Sequence, residues 1–183
     1  MPTVVHFLQK ELHDAMAEQE ARHETERFGI IPNEQNMFVW DVLIPASLFS
    51  DAPQLRDDLI KAWEVYKPGD HAKGVAGVWM QITFPQDFPT NPPFVRVVYP
   101  RFKRQTGHIT TGGSICTELL TNSKSGHGWD PKTKVEPLLV IIRQQLVEGK
   151  AEVYLNGKLS GTDYGEAEAR KAFQRVAQQH GWM

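Results

Sequence analysis

The sequence predicts an α+β fold in which an antiparallel β-meander of about four strands lies between an N-terminal helix and C-terminal helices. Apolar residues recur at helical spacing near both ends of the chain, whereas apolar and polar residues alternate in the middle. Between the meander and the C-terminal helices, residues 101–131 show neither pattern. The chain has 183 residues, of which 40% are hydrophobic and 23% are charged, so we expect a single domain over residues 1–183.

The first element is an amphipathic helix, predicted from residue 4 to about residue 27. Its apolar face consists of Val4, Leu8, Leu12, Ala15 and Met16. The opposite face, which we expect to be solvated, carries Gln9, Lys10, Glu11, Asp14, Glu18 and Glu20.

Strands and one inserted helix are predicted in the middle of the chain. Alternation of apolar residues predicts strands over residues 37–44, 75–84 and 94–99. A helix is predicted over residues 52–66, between the first two of these strands, from the helical spacing of Leu55, Leu59, Trp63 and Tyr66. Residues 85–93 hold four prolines, which remove backbone donors, so this segment is predicted to be an ordered loop or an extended arm. Core positions are expected for Trp40, Trp63 and Trp79.

Two further helices are predicted after residue 131. Thr133 and Glu136 have the spacing of a capping box, and Pro137 falls in the first turn, where a missing donor costs least. The buried stripe of this helix, which should end near Gly149, is Val135, Leu138, Leu139, Ile142 and Leu146. Residues 151–155 predict a short strand or extended segment. The last helix is predicted over residues 164–180 with Gly181 as its stop, and its inward residues are Ala167, Phe173, Val176 and Ala177.

Composition excludes several classes of function. The 20 Lys and Arg residues against 22 Asp and Glu residues give a net charge of −2, so binding to nucleic acid or to a membrane surface is not expected. One cysteine allows neither an internal disulfide nor a cysteine-rich zinc site, and the histidines show no metal-binding spacing. The N-terminus has no signal-peptide pattern, and the longest apolar run covers only residues 138–142. An intracellular, soluble chain without a metal site is therefore expected.

The chemistry is expected in residues 101–131, because long segments without regular structure inside a compact domain are usually functional. The only thiol, Cys116, follows Gly112 and Gly113 closely, where the backbone can approach a neighbouring segment. A lone cysteine is more often a small buried apolar residue than a nucleophile, so this position alone decides nothing. His108, Glu118 and His127 lie near it in the sequence, but the signatures of cysteine hydrolases are missing.

The order of these motifs resembles a known family. The motifs are Phe38-x-Trp40, Phe84-Pro85-x-x-Phe88-Pro89-x-x-Pro92-Pro93, Gly113-Ser114-Ile115-Cys116 and Trp129-x-Pro131, between an amphipathic helix and a long helix. Together they look like the ubiquitin-conjugating (UBC) domain, and the resemblance covers nearly the whole chain. Its Q-type branch is the most similar, through residues 92–98, residues 112–121 and Gly181-Trp182.

The resemblance implies an activity. Cys116 would accept the C-terminus of ubiquitin as a thioester from a ubiquitin-activating enzyme and pass it to an amine or hydroxyl of a protein substrate. No cofactor is implied, because the activating enzyme consumes the ATP.

Four residues near the thiol are candidates for supporting roles. Glu118 would orient the incoming amine or only solvate the loop, Trp129 would form a floor under the cysteine loop, and Ser114 and Thr117 would be hydrogen-bonding residues of the loop.

Two departures from the family pattern qualify this expectation. Most members carry His-Pro-Asn, with Asn eight residues before the cysteine, where this chain has Thr106-Gly107-His108. His108 would replace that Asn as a donor to the developing oxyanion, or it would only hold the loop. Thr90 and residues 130–132 stand where family members present apolar contacts to RING-type ubiquitin ligases, so weak contact with ordinary RING ligases is expected.

One alternative function and one question about the extent of the chain remain open at this point. The chain could be a catalytically inactive UBC-like module that binds ubiquitin or a partner protein, since the His-Pro-Asn triplet is missing. The sequence is also compatible with a domain taken from a longer protein. By the resemblance, the expected location is the cytoplasm, the nucleus or both.

Overall fold

The computed structural model describes residues 3–65 and 75–182. Within them the chain has four α-helices, which are α1 (Val4–Ala21), α2 (Pro53–Val65), α3 (Val135–Glu148) and α4 (Glu166–His180). Its four strands are β1 (Gly29–Pro32), β2 (Val39–Pro45), β3 (Gly77–Thr83) and β4 (Phe94–Tyr99). Short 3-10 helices cover Glu24–Glu26, Ala46–Phe49 and Glu118–Leu120. The predicted α+β class is confirmed.

The strands form one antiparallel sheet in the order β1-β2-β3-β4, the predicted meander. Cross-strand rows such as Trp40, Ile82 and Val95 lie on the face that is buried against the helices. Their side chains are at most 1% exposed, so this face carries the main core. The first strand was missed by the sequence prediction, because four residues are too short for alternation to be recognised.

The inserted helix is confirmed as α2, with Leu55 and Leu59 buried. Its predicted last residue, Tyr66, lies outside the described residues. The Tyr99 hydroxyl donates a hydrogen bond of 2.6 Å to the Ala62 carbonyl and so ties α2 to the end of β4. Burial raises the pKa of Tyr99 to about 12, which keeps this hydroxyl a donor at any physiological pH.

Helix α1 is shorter than predicted, and two of its residues were assigned to the wrong face. It ends at Ala21 and is followed by a 3-10 turn. Met16, predicted to be buried, is 45% exposed, whereas Glu11, predicted to be solvated, is only 6% exposed. The Glu11 carboxylate accepts a hydrogen bond of 2.7 Å from the backbone N–H of Val135, the first residue of α3.

The predicted capping box of α3 is wrong. The residue that precedes the helix is Lys134, and it makes no side-chain cap. Glu136 instead forms an ion pair with Arg22, just past the end of α1. One of the free N–H groups at the start of α3, that of Val135, is served by the Glu11 carboxylate of α1 instead of a local cap. The position of Pro137 in the first turn and the stop at Gly149 are confirmed.

The last helix begins at Glu166, two residues later than predicted, and Gly181 closes it with φ of 68°. The prediction that Ala167 faces inward is wrong, since the buried residues are Ala169, Ala172 and Ala177. The predicted extended segment 151–155 is reduced to one isolated bridge, between Phe102 and Val153. In the described part of the chain, none of the helices combines the length and the apolar character needed to cross a bilayer.

Candidate active site

The segment that carries the thiol is a tight hairpin, so the prediction of irregular structure is wrong for this part of residues 101–131. The backbone N–H of Thr110 donates to the Ser114 carbonyl at 2.9 Å, and that of Cys116 donates to the His108 carbonyl at 2.7 Å. The turn is closed by a 2.9 Å hydrogen bond from Gly113 N–H to the Thr110 carbonyl. Cys116 is thus held directly opposite His108 by the backbone.

The second arm of the hairpin lies along β4. The N–H of Val97 donates to the Gly113 carbonyl at 2.7 Å, and the N–H of Ile115 donates to the Val95 carbonyl at 3.1 Å. Ile115 is 1% exposed, so its side chain anchors the hairpin in the core. The arm therefore acts as a short extension of the sheet and fixes the residue that follows it, Cys116.

The two glycines before the thiol allow the hairpin to pack closely against the C-terminal segment. A Cβ on Gly112 would lie 2.4 Å from the Glu168 carbonyl oxygen in α4. Gly113 has φ of +92°, and a Cβ there would lie 2.4 Å from the Tyr164 ring. Tyr164 itself is buried, and its hydroxyl accepts a hydrogen bond of 2.9 Å from the Phe102 N–H. Only glycine fits at these two contacts.

The Cys116 side chain is half-buried and lines a cavity of about 720 Å³ between the hairpin and α4. Burial raises the pKa of the Cys116 thiol. At neutral pH the sulfur is therefore mainly protonated, unlike the thiolate of a hydrolase that is paired with a cationic histidine.

His108 lines the same cavity, so the structure brings the two predicted catalytic residues together. Its backbone has φ of 55°, in the left-handed region. The imidazole packs against the end of α3, where a Cβ on Gly149 would lie 2.8 Å from the His108 Cδ2 atom. The side chain is largely exposed to the cavity and to solvent.

Ser114 and Thr117 make the loop hydrogen bonds that the sequence suggested. The Ser114 and Thr110 hydroxyls, both buried, lie 2.7 Å apart. The Thr117 hydroxyl accepts a hydrogen bond of 3.0 Å from the Gln145 amide in α3. These contacts hold both sides of the thiol, while Ser114 and Thr117 themselves lie outside the lining of its cavity.

Glu118 and Trp129 also lie outside the cavity lining. Hydrogen bonds from the Ser123 and Ser125 side chains, the first of them the larger effect, lower the pKa of Glu118. This carboxylate thus remains charged and fastens the loop that follows it. The Trp129 indole N–H donates to the Pro89 carbonyl at 2.7 Å, and its ring centroid lies 6.0 Å from that of Phe88. The Trp129 side chain therefore contacts the proline-rich arm, while its backbone N–H donates to the Thr121 carbonyl at 2.8 Å.

Sequence reasoning missed the opposite wall of the cavity. It is formed by the α4 residues Ala172, Arg175, Val176, Gln179 and His180, and Arg104 and Gln105 on the hairpin side of the cavity were missed as well. The α4 residues are spaced three and four apart, so the sequence indicates that they share one face of the helix. Only the packing of α4 against the hairpin shows that this face lines the cavity. Among the described residues, His, Cys, Asp and Glu form no cluster that could hold a metal ion.

Comparison with known proteins decides the family. A family model described as "Ubiquitin-conjugating enzyme" matches residues 48–180. The chain belongs to the ubiquitin-conjugating enzyme family. It is 30% identical to "Ubiquitin-conjugating enzyme E2 25" of Caenorhabditis elegans over 98% of this chain and 43% of that protein. It is 34% identical to "Ubiquitin-conjugating enzyme E2 Q1" of Mus musculus over 60% of this chain and 25% of that protein.

The named relatives place this member of the family on its Q-type branch. The chain spans less than half of the length of the two relatives just compared. Among solved structures, a ubiquitin-conjugating enzyme E2 from Plasmodium falciparum matches with a TM-score of 0.53 and 19% identity, over 80% of this chain and 85% of that one. At this identity the likeness concerns the fold alone, and it agrees with the predicted UBC-like fold.

Proposed function

We propose that the chain accepts ubiquitin as a thioester on Cys116 from a ubiquitin-activating enzyme and transfers it to an amine or hydroxyl of a protein substrate. The observation that carries this proposal is the placement of the chain's only thiol at the end of a braced hairpin, open to a cavity. Membership of the family supports it, because the resemblance assigns the ester to this cysteine.

The proposed loading step exchanges one thioester for another. The Cys116 thiol loses its proton and its sulfur attacks the carbonyl carbon of the ester on the activating enzyme; a new C–S bond forms, the old C–S bond breaks, and the released thiolate of that enzyme takes up a proton. The bonds made and broken are of the same kind, so the step is close to neutral in free energy. A largely protonated thiol suits this role, because its thiolate is needed only during exchange.

In the discharge step, the carbonyl oxygen of the thioester gains negative charge as the acceptor attacks. We propose that the His108 ring N–H donates to this oxyanion, since His108 and Cys116 line one cavity. The other role left open by the sequence is that His108 only holds the loop. Variants that separate the ring from the backbone conformation distinguish the two roles.

The proposal includes partners and excludes a cofactor. Ubiquitin, a ubiquitin-activating enzyme and a protein substrate are required, and ATP is consumed by the activating enzyme. A ubiquitin ligase is a further partner, with weak contact if it is of the RING type. Nucleic acid, membrane and metal are not part of the proposed function, and its location is the cytoplasm, the nucleus or both.

The test is to incubate the protein with activating enzyme, ubiquitin and ATP. We expect a conjugate that disappears on addition of reductant, is absent in Cys116→Ala, and becomes resistant to reductant in Cys116→Ser, where an oxyester replaces the thioester. A folded wild-type protein that binds ubiquitin and forms no conjugate would reject the transferase and support the inactive binding module.

A further inference from the structure

The cavity beside Cys116 is a groove with one wall from residues 104–111 and the other from α4. The α4 wall presents Ala172, Arg175, Gln179 and their neighbours at helical spacing. A second cavity of about 180 Å³ continues along α4 and shares Thr111, Ala172 and Arg175 with the first. The lining runs along α4 from Glu168 to His180, about 18 Å at 1.5 Å per residue, which is the length of several residues of an extended segment that reaches the thiol.

The charge of this groove differs from that of the chain as a whole. The chain has a net charge of −2, yet Arg104 and Arg175 line the main cavity and none of its described lining residues is Asp or Glu. Lys171 adds a third cation in the continuation. Over residues 3–65 and 75–182, neither Arg104 nor Arg175 forms an ion pair.

The carboxylate that lines the continuation of the groove is engaged elsewhere, and so are two carboxylates that lie close to lining residues in the sequence. Glu168 lies in the continuation, but it pairs with Arg101 at 2.9 Å, and that contact lowers the pKa of Glu168. Glu152 pairs with Lys103 at 2.7 Å, and Glu166 pairs with Arg170 at 2.8 Å. The neighbouring negative charges thus leave the two groove arginines without a counter-ion in the described part of the chain.

We propose that this groove selects the acceptor: it binds a substrate segment that carries a carboxylate or a phosphate close to the nucleophile that takes ubiquitin from Cys116. The inference rests on the proposed function. In the transfer, the acceptor nitrogen or oxygen forms a bond to the thioester carbonyl carbon, the C–S bond breaks, and Cys116 leaves as the thiolate. The proton lost by the nucleophile goes to that thiolate or to water.

Arginine is suited to this selection because its planar guanidinium recognises carboxylate and phosphate through paired hydrogen bonds. Both arginines are exposed, so the attraction is screened and the preference should weaken as salt is raised. An anion-bearing acceptor should be modified about tenfold faster than a neutral one at low ionic strength, the order of effect that complementary charges give to encounter.

The experiment uses protein already loaded with ubiquitin and measures single-turnover discharge to three lysine peptides. One peptide has glutamates beside the lysine, the second has phosphoserine there, and the third has glutamine. The quantity compared is the ratio of the rate for each anionic peptide to the rate for the neutral peptide. Arg175→Gln and Arg104→Gln remove the proposed contacts, and Arg56→Gln in α2, which lines neither cavity, is the matched control.

We expect a ratio of about ten in the wild type and in Arg56→Gln, falling toward one in the double variant Arg104→Gln/Arg175→Gln. The rates for the glutamate peptide and for the phosphoserine peptide show which of the two anions the groove prefers. In Arg175→Glu, a fourth peptide with arginines beside the acceptor lysine should become the faster one, which a variant that merely misfolds would not produce.

A wild-type ratio near one, with loading intact, would overturn the inference while leaving the proposed function standing. Slower loading in the arginine variants with unchanged peptide ratios would also overturn it, because the groove would then hold ubiquitin rather than the acceptor. Failure of the wild type to load at all would instead reject the proposed function.

Discussion

His108 adopts a left-handed backbone conformation, with φ of 55°, at the position where most family members have Asn. Asn and His occur in this region several times more often than other side chains, and Gly occupies it freely. The backbone carbonyl of His108 accepts the Cys116 N–H. Two explanations therefore fit the exchange of Asn for His. Either both residues tolerate the left-handed backbone at this position, or both side chains have the same role. Separate variants are needed to test each explanation.

His108→Gly removes the ring but keeps the backbone conformation available, whereas His108→Ala removes the ring and also strains the backbone by about 1 kcal/mol. If the ring donates to the oxyanion, both variants should discharge to a small nucleophile about a hundredfold more slowly while loading changes little. Loading and discharge are followed separately by quenched gels under non-reducing conditions.

His108→Asn serves as the control, because it restores the residue of most family members and should discharge at close to the wild-type rate. If His108→Gly is as fast as the wild type and only His108→Ala is slow, the side chain has no part in the chemistry and His108 holds the loop. Equal losses in loading and discharge would also reject the donor role.

The raised pKa of the Cys116 thiol predicts how its reactivity depends on pH. A free cysteine thiol has a pKa of about 8.5. Because the pKa of Cys116 is raised, its rate of alkylation by iodoacetamide should keep rising above that pH instead of levelling off. The rate is measured across the neutral and alkaline range by intact mass, and the single thiol makes the assignment unambiguous. A plateau at neutral pH would mean that the sulfur is a stabilised thiolate, contrary to the effect of its burial.

At the scale of elements, periodicity predicted the helices and strands because their buried faces repeat along the chain. The stripe of Leu138, Leu139, Ile142 and Leu146 is buried as predicted. Helix caps were not predictable in the same way. The donor at Val135 is served by Glu11, 124 residues earlier, and no local pattern encodes a partner so distant in sequence.

The Glu11 cap can be tested by two substitutions. Glu11→Ala leaves the buried Val135 N–H without an acceptor and should lower the free energy of unfolding by about 1–2 kcal/mol. Glu11→Gln keeps an oxygen acceptor and removes a desolvated charge, so at neutral pH it should be at least as stable as the wild type. Urea denaturation measures both, with the exposed Glu20→Gln of the same helix as control.

The pH dependence gives a second readout of this cap. Burial raises the pKa of Glu11, so the stability gained from its protonated form is present at low pH and is lost as pH rises through that raised value. The advantage of Glu11→Gln over the wild type should therefore shrink as the solution is acidified from neutral pH toward that value. An advantage that grows on acidification would contradict a raised pKa.

The helix cap could not be predicted because its two partners are far apart in the sequence, and the same holds for part of the site. Cys116 and His108 were identified because they lie within a contiguous, recognisable segment, and the hairpin brings them together. Arg104 and Arg175 border the same thiol from segments about 70 residues apart, so nothing in either local sequence relates one to the other. These two arginines could have been predicted as site residues only if it had been known that Gly112 allows α4 to pack against the hairpin.

At the scale of the molecule, two loops form the surface on which RING contact is expected to be weak. Trp129 links them through Pro89, with the exposed Thr90 on one side and residues 130–132 on the other. An apolar anchor missing from an interface costs about 2 kcal/mol or more. Ordinary RING domains should therefore accelerate discharge of the loaded wild type less than about twofold, and Thr90→Phe should bind them more tightly. Strong acceleration of the wild type would contradict this prediction.

The packing of α4 against the hairpin joins the sheet, the thiol and the groove into one unit, and Gly112 lies at this interface. In Gly112→Ala the new methyl would meet the Glu168 carbonyl oxygen at 2.4 Å and the Ala172 Cβ at 2.8 Å, so α4 must shift. We expect the free energy of unfolding to fall by about 1–3 kcal/mol. Discharge should also slow, because Ala172 and Arg175 of the groove wall move with the helix.

Gly161→Ala is the matched control, since among the residues that the structure describes its methyl would approach only the Val65 carbonyl oxygen, at 3.9 Å. Thermal unfolding and single-turnover discharge are measured for both variants, and Gly161→Ala should match the wild type in each. If Gly112→Ala is destabilised and yet discharges at the wild-type rate, α4 stabilises the fold without shaping the groove. Wild-type values in both measurements would mean that α4 does not rest on the hairpin in solution, and the acceptor groove would then have no second wall.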